Sequence, residues 1–276
     1  MWLPVAGVHS IERVRVTVNL RQSLATKIVR DFGKEIDPIR QELGFDPLIS
    51  TGTQMLSFQA GPEGFVSLPP QEGNVGSGWE LRRNPAPGRT VELFALSSQP
   101  VAAPNQPATS LVYETGEYSR WPIFQDRFAV VTQRILPRFV ELGDVQSVIL
   151  EYTDRFLSVP IGEKSRPGEL LNLLEGVLPP SVVEDGEFFH IHRGWFEPAA
   201  FGRLLINLNF DGQDVEVAPG QVQRTVQILT RAEGRAGIWN TDGPSIDHQL
   251  TVMHEQTGRV FREALVPAIS EQIGLV

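Results

Sequence analysis

The chain has 276 residues, of which 41% are hydrophobic and 21% charged, a composition typical of an ordinary globular protein. It contains no cysteine, which excludes disulfide bonds, thiolate metal sites and cysteine nucleophiles. Its formal net charge of −9 argues against nonspecific nucleic-acid binding, because that binding needs a basic surface. No apolar run approaches a membrane span and the N-terminus does not resemble a signal peptide, so we expect a cytoplasmic protein without a membrane partner.

The first half of the chain predicts a strand, two short helices, several strands and a long helix. Residues Ile11–Leu20 alternate between apolar and polar, which indicates a strand with one face in the core. Helical patterns follow at Leu24–Val29 and Ile36–Leu43. The stretch Pro122–Leu142 has apolar residues three or four apart and predicts the long helix. Between these helices, strands are predicted at Gln54–Gln59, Gly78–Arg83, Thr90–Leu96 and Leu111–Thr115.

The second half repeats this order of elements. It predicts a strand at Val145–Phe156, a short helix at Pro167–Leu174 and a long helix over Ser245–Ile273. The segment Asp211–Asp214 contains Asp-Gly, which is typical of a turn between two strands. The remaining strands are predicted at Glu187–Trp195, Arg203–Phe210 and Val222–Arg231.

The repeated order predicts the fold class. Both long helices follow a tryptophan and carry a late proline, Pro137 or Pro267. We therefore predict an α+β fold of two similar halves, residues 1–143 and 144–276, with each half ordered strand, helix, antiparallel strands, long helix. The helices are expected to pack on one sheet face, in a helix-grip or saddle-like layout. The predicted core includes Val14, Val16, Val18, Phe128, Ile135, Phe139, Val260, Phe261 and Leu265.

Three stretches carry a resemblance to a protein family. They are WPIFQDRF at residues 121–128, VILEYTDRF at 148–156 and SIDHQLTVMHEQTGRVFREAL at 245–265. Together they resemble a sporadically distributed family of uncharacterised, conserved hypothetical prokaryotic proteins. The resemblance implies a role in an accessory system, such as a defence or toxin–antitoxin system, and it implies no reaction.

Two histidines form the candidate metal site. At the period of a strand, His190 and His192 project on the same face, with Asp185 or Glu187 as a nearby carboxylate. This arrangement would suit a metal-dependent hydrolase, which is one alternative for the function. Two polar residues on a solvated sheet face are the more ordinary interpretation, so we expect no metal and no other cofactor.

The predicted binding surface is a polar sheet face in the second half. It is rich in amide, imidazole and guanidinium groups and lacks lysine, which favours directed hydrogen bonding over simple solvation. We therefore expect a non-enzymatic binding or assembly protein whose partner is another protein or a second copy. A small-ligand-binding protein, with a molecule held between sheet and long helix, is the other alternative. The candidate binding residues are Glu151, Arg155, His190, His192, Asn207, Asn209, Gln223 and Gln227.

Overall fold

The structure, a computed structural model, describes residues 1–7, 9–54, 58–61, 64–67, 75–86, 89–99, 107–172, 178–185, 188–199, 201–235 and 245–275. The strands are β1 Trp2–Pro4, β2 Ile11–Leu20, β3 Ile49–Gln54, β4 Phe58–Gly61, β5 Gly64–Ser67, β6 Val75–Arg83, β7 Glu92–Ser98, β8 Thr109–Thr115, β9 Val145–Ser158, β10 Phe189–Ala199, β11 Gly202–Ala218 and β12 Gln221–Arg235. The α-helices are α1 Thr26–Ile36, α2 Trp121–Thr132, α3 Leu136–Glu141, α4 Pro180–Asp185, α5 Ile246–Ala264 and α6 Pro267–Gln272. Single 3₁₀ turns occur at Asp37–Ile39 and Pro167–Glu169.

Strands dominate the fold. Within the described residues, ten strands join in one sheet with the order β10-β11-β12-β9-β2-β8-β7-β6-β3 and with β1 beside β9, while β4 and β5 form a separate two-stranded sheet. The predicted α+β layout, with helices packed on one sheet face in a helix-grip or saddle-like manner, is therefore wrong. Two physical causes stand out. The long helices break at Pro137 and Pro267, and β11 and β12 extend to 17 and 15 residues.

By internal packing the chain divides into two compact units. The first unit consists of residues 1–15, 116–121 and 149–276, and the second of residues 16–115 and 122–148. The predicted division into similar halves at residues 1–143 and 144–276 stays a prediction.

The predicted core is confirmed. All nine residues named for it are buried, and β2 has the bounds that its alternation predicted. The alternation of apolar and polar residues predicts β2 correctly because successive side chains of a strand point to opposite faces. An apolar residue at every second position therefore identifies the buried face. In β9 the same rule holds for Val148, Leu150, Tyr152 and Phe156, all of which are buried.

In the second unit, the antiparallel strands β3, β6, β7 and β8 follow one another in the sheet. The two predicted helices, Leu24–Val29 and Ile36–Leu43, are replaced by α1 and the 3₁₀ turn that follows it. Helix α1 buries one apolar side, including Val29, Phe32 and Ile36. The α-helix stops before Pro38, because proline has no N–H to continue the hydrogen-bond ladder.

In the first unit, β10, β11 and β12 form a long antiparallel sheet. The predicted turn at Asp211–Asp214 is wrong, because these residues continue β11 and pair with β12. The chain reverses instead after Ala218, and Gly220 there has a φ of +74°, a conformation that glycine adopts without a steric penalty. Helix α5 begins after Ser245, whose hydroxyl accepts a hydrogen bond from the backbone N–H of His248.

None of the helices in the described part of the chain combines the length and the apolar character that crossing a membrane requires.

Candidate functional site

A cavity of about 500 Å³ lies inside the first unit. Its walls come from the start of β2, the segment before α2, strands β9 and β12, helix α5 and the residues that follow α6. Strand β9 turns Tyr152 and Asp154 toward it, because both share the buried side with Leu150. On α5, His254 and Gly258 are four residues apart and therefore lie on the same helix side.

Asp154 is the buried carboxyl group of this cavity. The residue is only 1% exposed, and the Ser10 hydroxyl donates a hydrogen bond to Oδ1 at 2.7 Å. Within the described residues it forms no ion pair. Burial raises the pKa of Asp154 to about 7, although the Ser10 hydrogen bond acts in the opposite direction. The cavity therefore contains a carboxyl group that changes its charge near neutral pH.

Aromatic side chains form much of the remaining wall. The Tyr152 hydroxyl is hydrogen-bonded to Nδ1 of His254 at 2.9 Å, and the His254 ring stacks on Trp121 with centroids 4.3 Å apart. Tyr118 meets Tyr152 edge to face at 5.9 Å. Burial lowers the pKa of His254 to about 4 and raises that of Tyr118 to about 12. These rings are consequently uncharged at pH 7.

Two polar atoms of the cavity wall are unsatisfied. Nδ1 of His9 and the hydroxyl oxygen of Thr230 are buried and have no hydrogen-bond partner among the described residues. A buried polar atom without a partner costs free energy. A hydrogen bond to a bound molecule would remove this cost.

The predicted binding residues lie elsewhere in the first unit, and none of the eight lines this cavity. Strand register brings His190, Asp211 and Gln227 side by side on β10, β11 and β12. Nδ1 of His190 lies 2.5 Å from Asp211. Arg155 then donates to Gln227 at 2.8 Å and to Glu12 at 3.0 Å. The result is one polar row across the sheet.

The other predicted binding residues have diverse surroundings. His192 is hydrogen-bonded to Asn209, its partner across the strand pair. Asn207 lies opposite Arg231, and Glu151 is half-buried. Gln223 is 7% exposed, and its amide donates to the Ser158 carbonyl at 2.9 Å.

His190 and His192 are the candidate metal site of the hydrolase alternative. The structure gives both a hydrogen-bonding neighbour on β11, Asp211 and Asn209 respectively. Glu187 and the side chain of Asp185, the predicted carboxylate neighbours, lie outside the described residues. In the part of the chain that the structure describes, no group of three or more His, Asp or Glu side chains could hold a metal ion. The hydrolase alternative stays a prediction.

The sequence patterns did not lead us to predict the cavity, although the alternation of residues in β9 indicates it. Tyr152, Asp154 and Phe156 are all even-numbered, so alternation places Asp154 on the predicted core side. A carboxyl group on a core face is rare unless it is paired, and this would have identified the site. The stacking of His254 on Trp121 could not be predicted from the sequence, because the two residues are far apart in the chain.

The sequence matches no protein-family model, and none of the curated proteins is significantly similar to it. The function therefore has to be inferred from the chemistry of the described residues.

Proposed function

We propose that the protein binds a small organic molecule in the cavity of the first unit. The observation that carries this proposal is the buried Asp154 carboxyl group, which lines a cavity of about 500 Å³ and, among the described residues, accepts a hydrogen bond from Ser10 alone. Ligand sites in proteins commonly have volumes of roughly 300–1,000 Å³ and combine apolar walls with a few placed polar groups. The aromatic wall and Asp154 fit that description.

A void left by imperfect packing is a poorer explanation of the cavity than a ligand site. A void left by imperfect packing is normally small and lined by apolar side chains. Here the wall contains Asp154, His9 and Thr230, whose polar groups lose solvation on burial. An apolar residue at position 154 would avoid this cost, so the carboxyl group is better explained by a ligand than by folding.

The proposal can be tested by filling the cavity from α5. Gly258 lines the cavity, and a Cβ built on it meets no atom within 4 Å. We therefore expect Gly258→Trp to fold and to occupy the space, whereas Gly258→Ala leaves most of it open. Saturation-transfer NMR with a library of neutral, cationic and anionic fragments should show bound fragments with the wild type and with Gly258→Ala.

Those signals should disappear with Gly258→Trp, and circular dichroism would verify that its helices are intact. Fragment binding that is unchanged in the folded Gly258→Trp variant would contradict the proposal, as would the absence of any bound fragment with the wild type.

A second candidate function is self-association through the open sheet face, as the sequence led us to expect. Strand β10 ends the strand order of the sheet, and Phe196 on this strand is 57% exposed. An edge strand with exposed apolar side chains is a common surface for pairing between chains. His192 projects from β10 on the same face as Phe196, because the two positions are an even number of residues apart.

Sedimentation analysis tests this candidate. We expect the wild type to dimerise, and the Arg155→Ala, His192→Ala, Asn207→Ala triple variant to dimerise more weakly. A wild type that stays monomeric at the highest attainable concentration would contradict self-association. An unchanged dimer in the triple variant would exclude this face as the interface.

A further inference from the structure

We infer that the cavity is selective for a small organic amine, whose ammonium group pairs with Asp154. The inference rests on the proposed function, since it specifies the class of molecule that the same cavity binds. Three features of the wall support it: the sign of the buried charge, the set of hydrogen-bond acceptors and the aromatic faces.

The buried charge favours a cation. An ionised carboxylate is costly in a buried site unless a cation or several hydrogen bonds compensate it. Asp154 has the hydrogen bond from Ser10 and no ion pair with any described residue. A ligand ammonium group would supply the missing charge, whereas a ligand carboxylate would add a second negative charge beside the first.

The acceptors in the cavity wall match the donors of a primary ammonium group. Such a group donates three hydrogen bonds and accepts none. Nδ1 of His9 and the hydroxyl oxygen of Thr230 are two buried atoms of the cavity wall that have no hydrogen-bond partner among the described residues. His9 precedes Ser10 in the chain, and Thr230 lies on β12, the neighbour of β9 in the sheet. Asp154, Thr230 and the Nε2–H tautomer of His9 thus place three acceptors in the wall of one cavity.

The aromatic wall also prefers a cation. The faces of Trp and Tyr rings attract positive charge and repel negative charge. Tyr118, Tyr152 and Trp121 all line the cavity, and His254 covers one face of the Trp121 ring. Arg120 lines it as well, but this residue is exposed, so water screens its charge more strongly than that of the buried Asp154. Of these two charges, that of Asp154 therefore acts more strongly on a molecule inside the cavity.

Three indoles of nearly equal shape test the inference: tryptamine is a cation, tryptophol is neutral and indole-3-acetate is an anion. We expect isothermal titration calorimetry at about pH 8 to show that tryptamine binds at least about tenfold more tightly than tryptophol. Indole-3-acetate should bind most weakly. The isosteric Asp154→Asn variant should lose the preference for tryptamine, while Asp211→Asn, which changes a carboxylate outside the cavity, should retain it.

The pH dependence provides a second readout. Tyr118, Tyr152 and His254 stay uncharged between about pH 6 and pH 8, and the amine of tryptamine stays protonated. Protonation of Asp154 should therefore reduce the preference for tryptamine toward pH 6. His9 also faces this site, so the pH profile should be measured for His9→Asn too, and we expect the decrease to remain in that variant.

The possible results separate this inference from the proposed function. Equal affinity for tryptamine and tryptophol, or a preference that survives in Asp154→Asn, would overturn the amine inference and leave the cavity as a binding site. If all three indoles bind the folded Gly258→Trp variant as they bind the wild type, the cavity is not their site and both proposals fail.

Discussion

Glu92→Ala is expected to lower the free energy of unfolding by about 3 kcal/mol or more. Glu92 in the second unit is 1% exposed. Its Oε1 accepts hydrogen bonds from Arg127 Nε and the Tyr113 hydroxyl, both at 2.8 Å. Its Oε2 accepts from Arg83 Nε at 2.8 Å and from Arg127 Nη2 at 2.9 Å. Four donors on β6, β8 and α2 thus converge on one carboxylate.

The charge state of Glu92 follows from these contacts. Burial alone would raise the pKa of Glu92, but the hydrogen bonds from Arg127, Arg83 and Tyr113 outweigh it and hold the pKa below its usual range. Glu92 is consequently ionised at neutral pH, and its removal leaves two guanidinium groups without their shared partner. Each arginine side chain is about one-third exposed, so partial hydration keeps the expected loss toward the lower end of the range for a broken buried pair.

Urea unfolding at neutral pH would measure this loss, with Glu80→Ala as the matched control. Glu80 pairs with Arg82 on the same strand at 2.9 Å, and the Arg82 side chain is 43% exposed. The Glu80 side chain is 19% exposed, and removal of this partly exposed pair, with one partner where Glu92 has three, should cost about 1 kcal/mol. If both variants lost the same small amount, the Glu92 network would not be a main source of stability in the second unit.

The sequence predicts those parts of the fold that follow from a local pattern of apolar and polar residues. In β2, Val14, Val16 and Val18 alternate with polar residues, and this local pattern is enough to identify both the strand and its buried face. The helical stripes around Phe139 and Phe261 likewise predicted burial correctly. The prolines within those stripes then decided where each helix ends, which apolar periodicity alone does not show.

Other features depend on residues that are far apart in the chain. The polar row formed by His190, Asp211 and Gln227 requires the register of three strands, and register comes from backbone hydrogen bonds that leave no direct mark in the sequence. The Asp-Gly at Asp211 predicted a turn on local grounds, but pairing with β12 keeps it in a strand. The cavity also depends on residues that are distant in the chain, since Ser10 and Asp154 are hydrogen-bonded to each other but lie 144 positions apart.

Asp154→Asn is expected to stabilise the ligand-free protein at neutral and alkaline pH, by on the order of 4 kcal/mol above about pH 7. Burial raises the pKa of Asp154 from 3.8 to about 7, so the folded state binds a proton that the unfolded state releases. A group with a raised pKa contributes full stability below its unfolded pKa, and this contribution is lost as the pH rises through the folded pKa. About three pH units at roughly 1.4 kcal/mol each give the expected difference.

The two proteins should therefore differ in the slope of stability against pH, and not only in its value. Between about pH 4 and pH 7 the wild type should lose stability relative to Asp154→Asn, and below about pH 4 the two should converge, because a protonated Asp154 and an asparagine are both neutral. The asparagine Oδ1 can still accept the hydrogen bond from Ser10, so the comparison isolates the charge. Urea unfolding of both proteins at several pH values, after removal of any bound amine, measures this slope.

A difference in stability that stays constant from about pH 5 to pH 8 would show that Asp154 does not titrate in this range. The pH dependence expected for amine binding would then lose its physical cause.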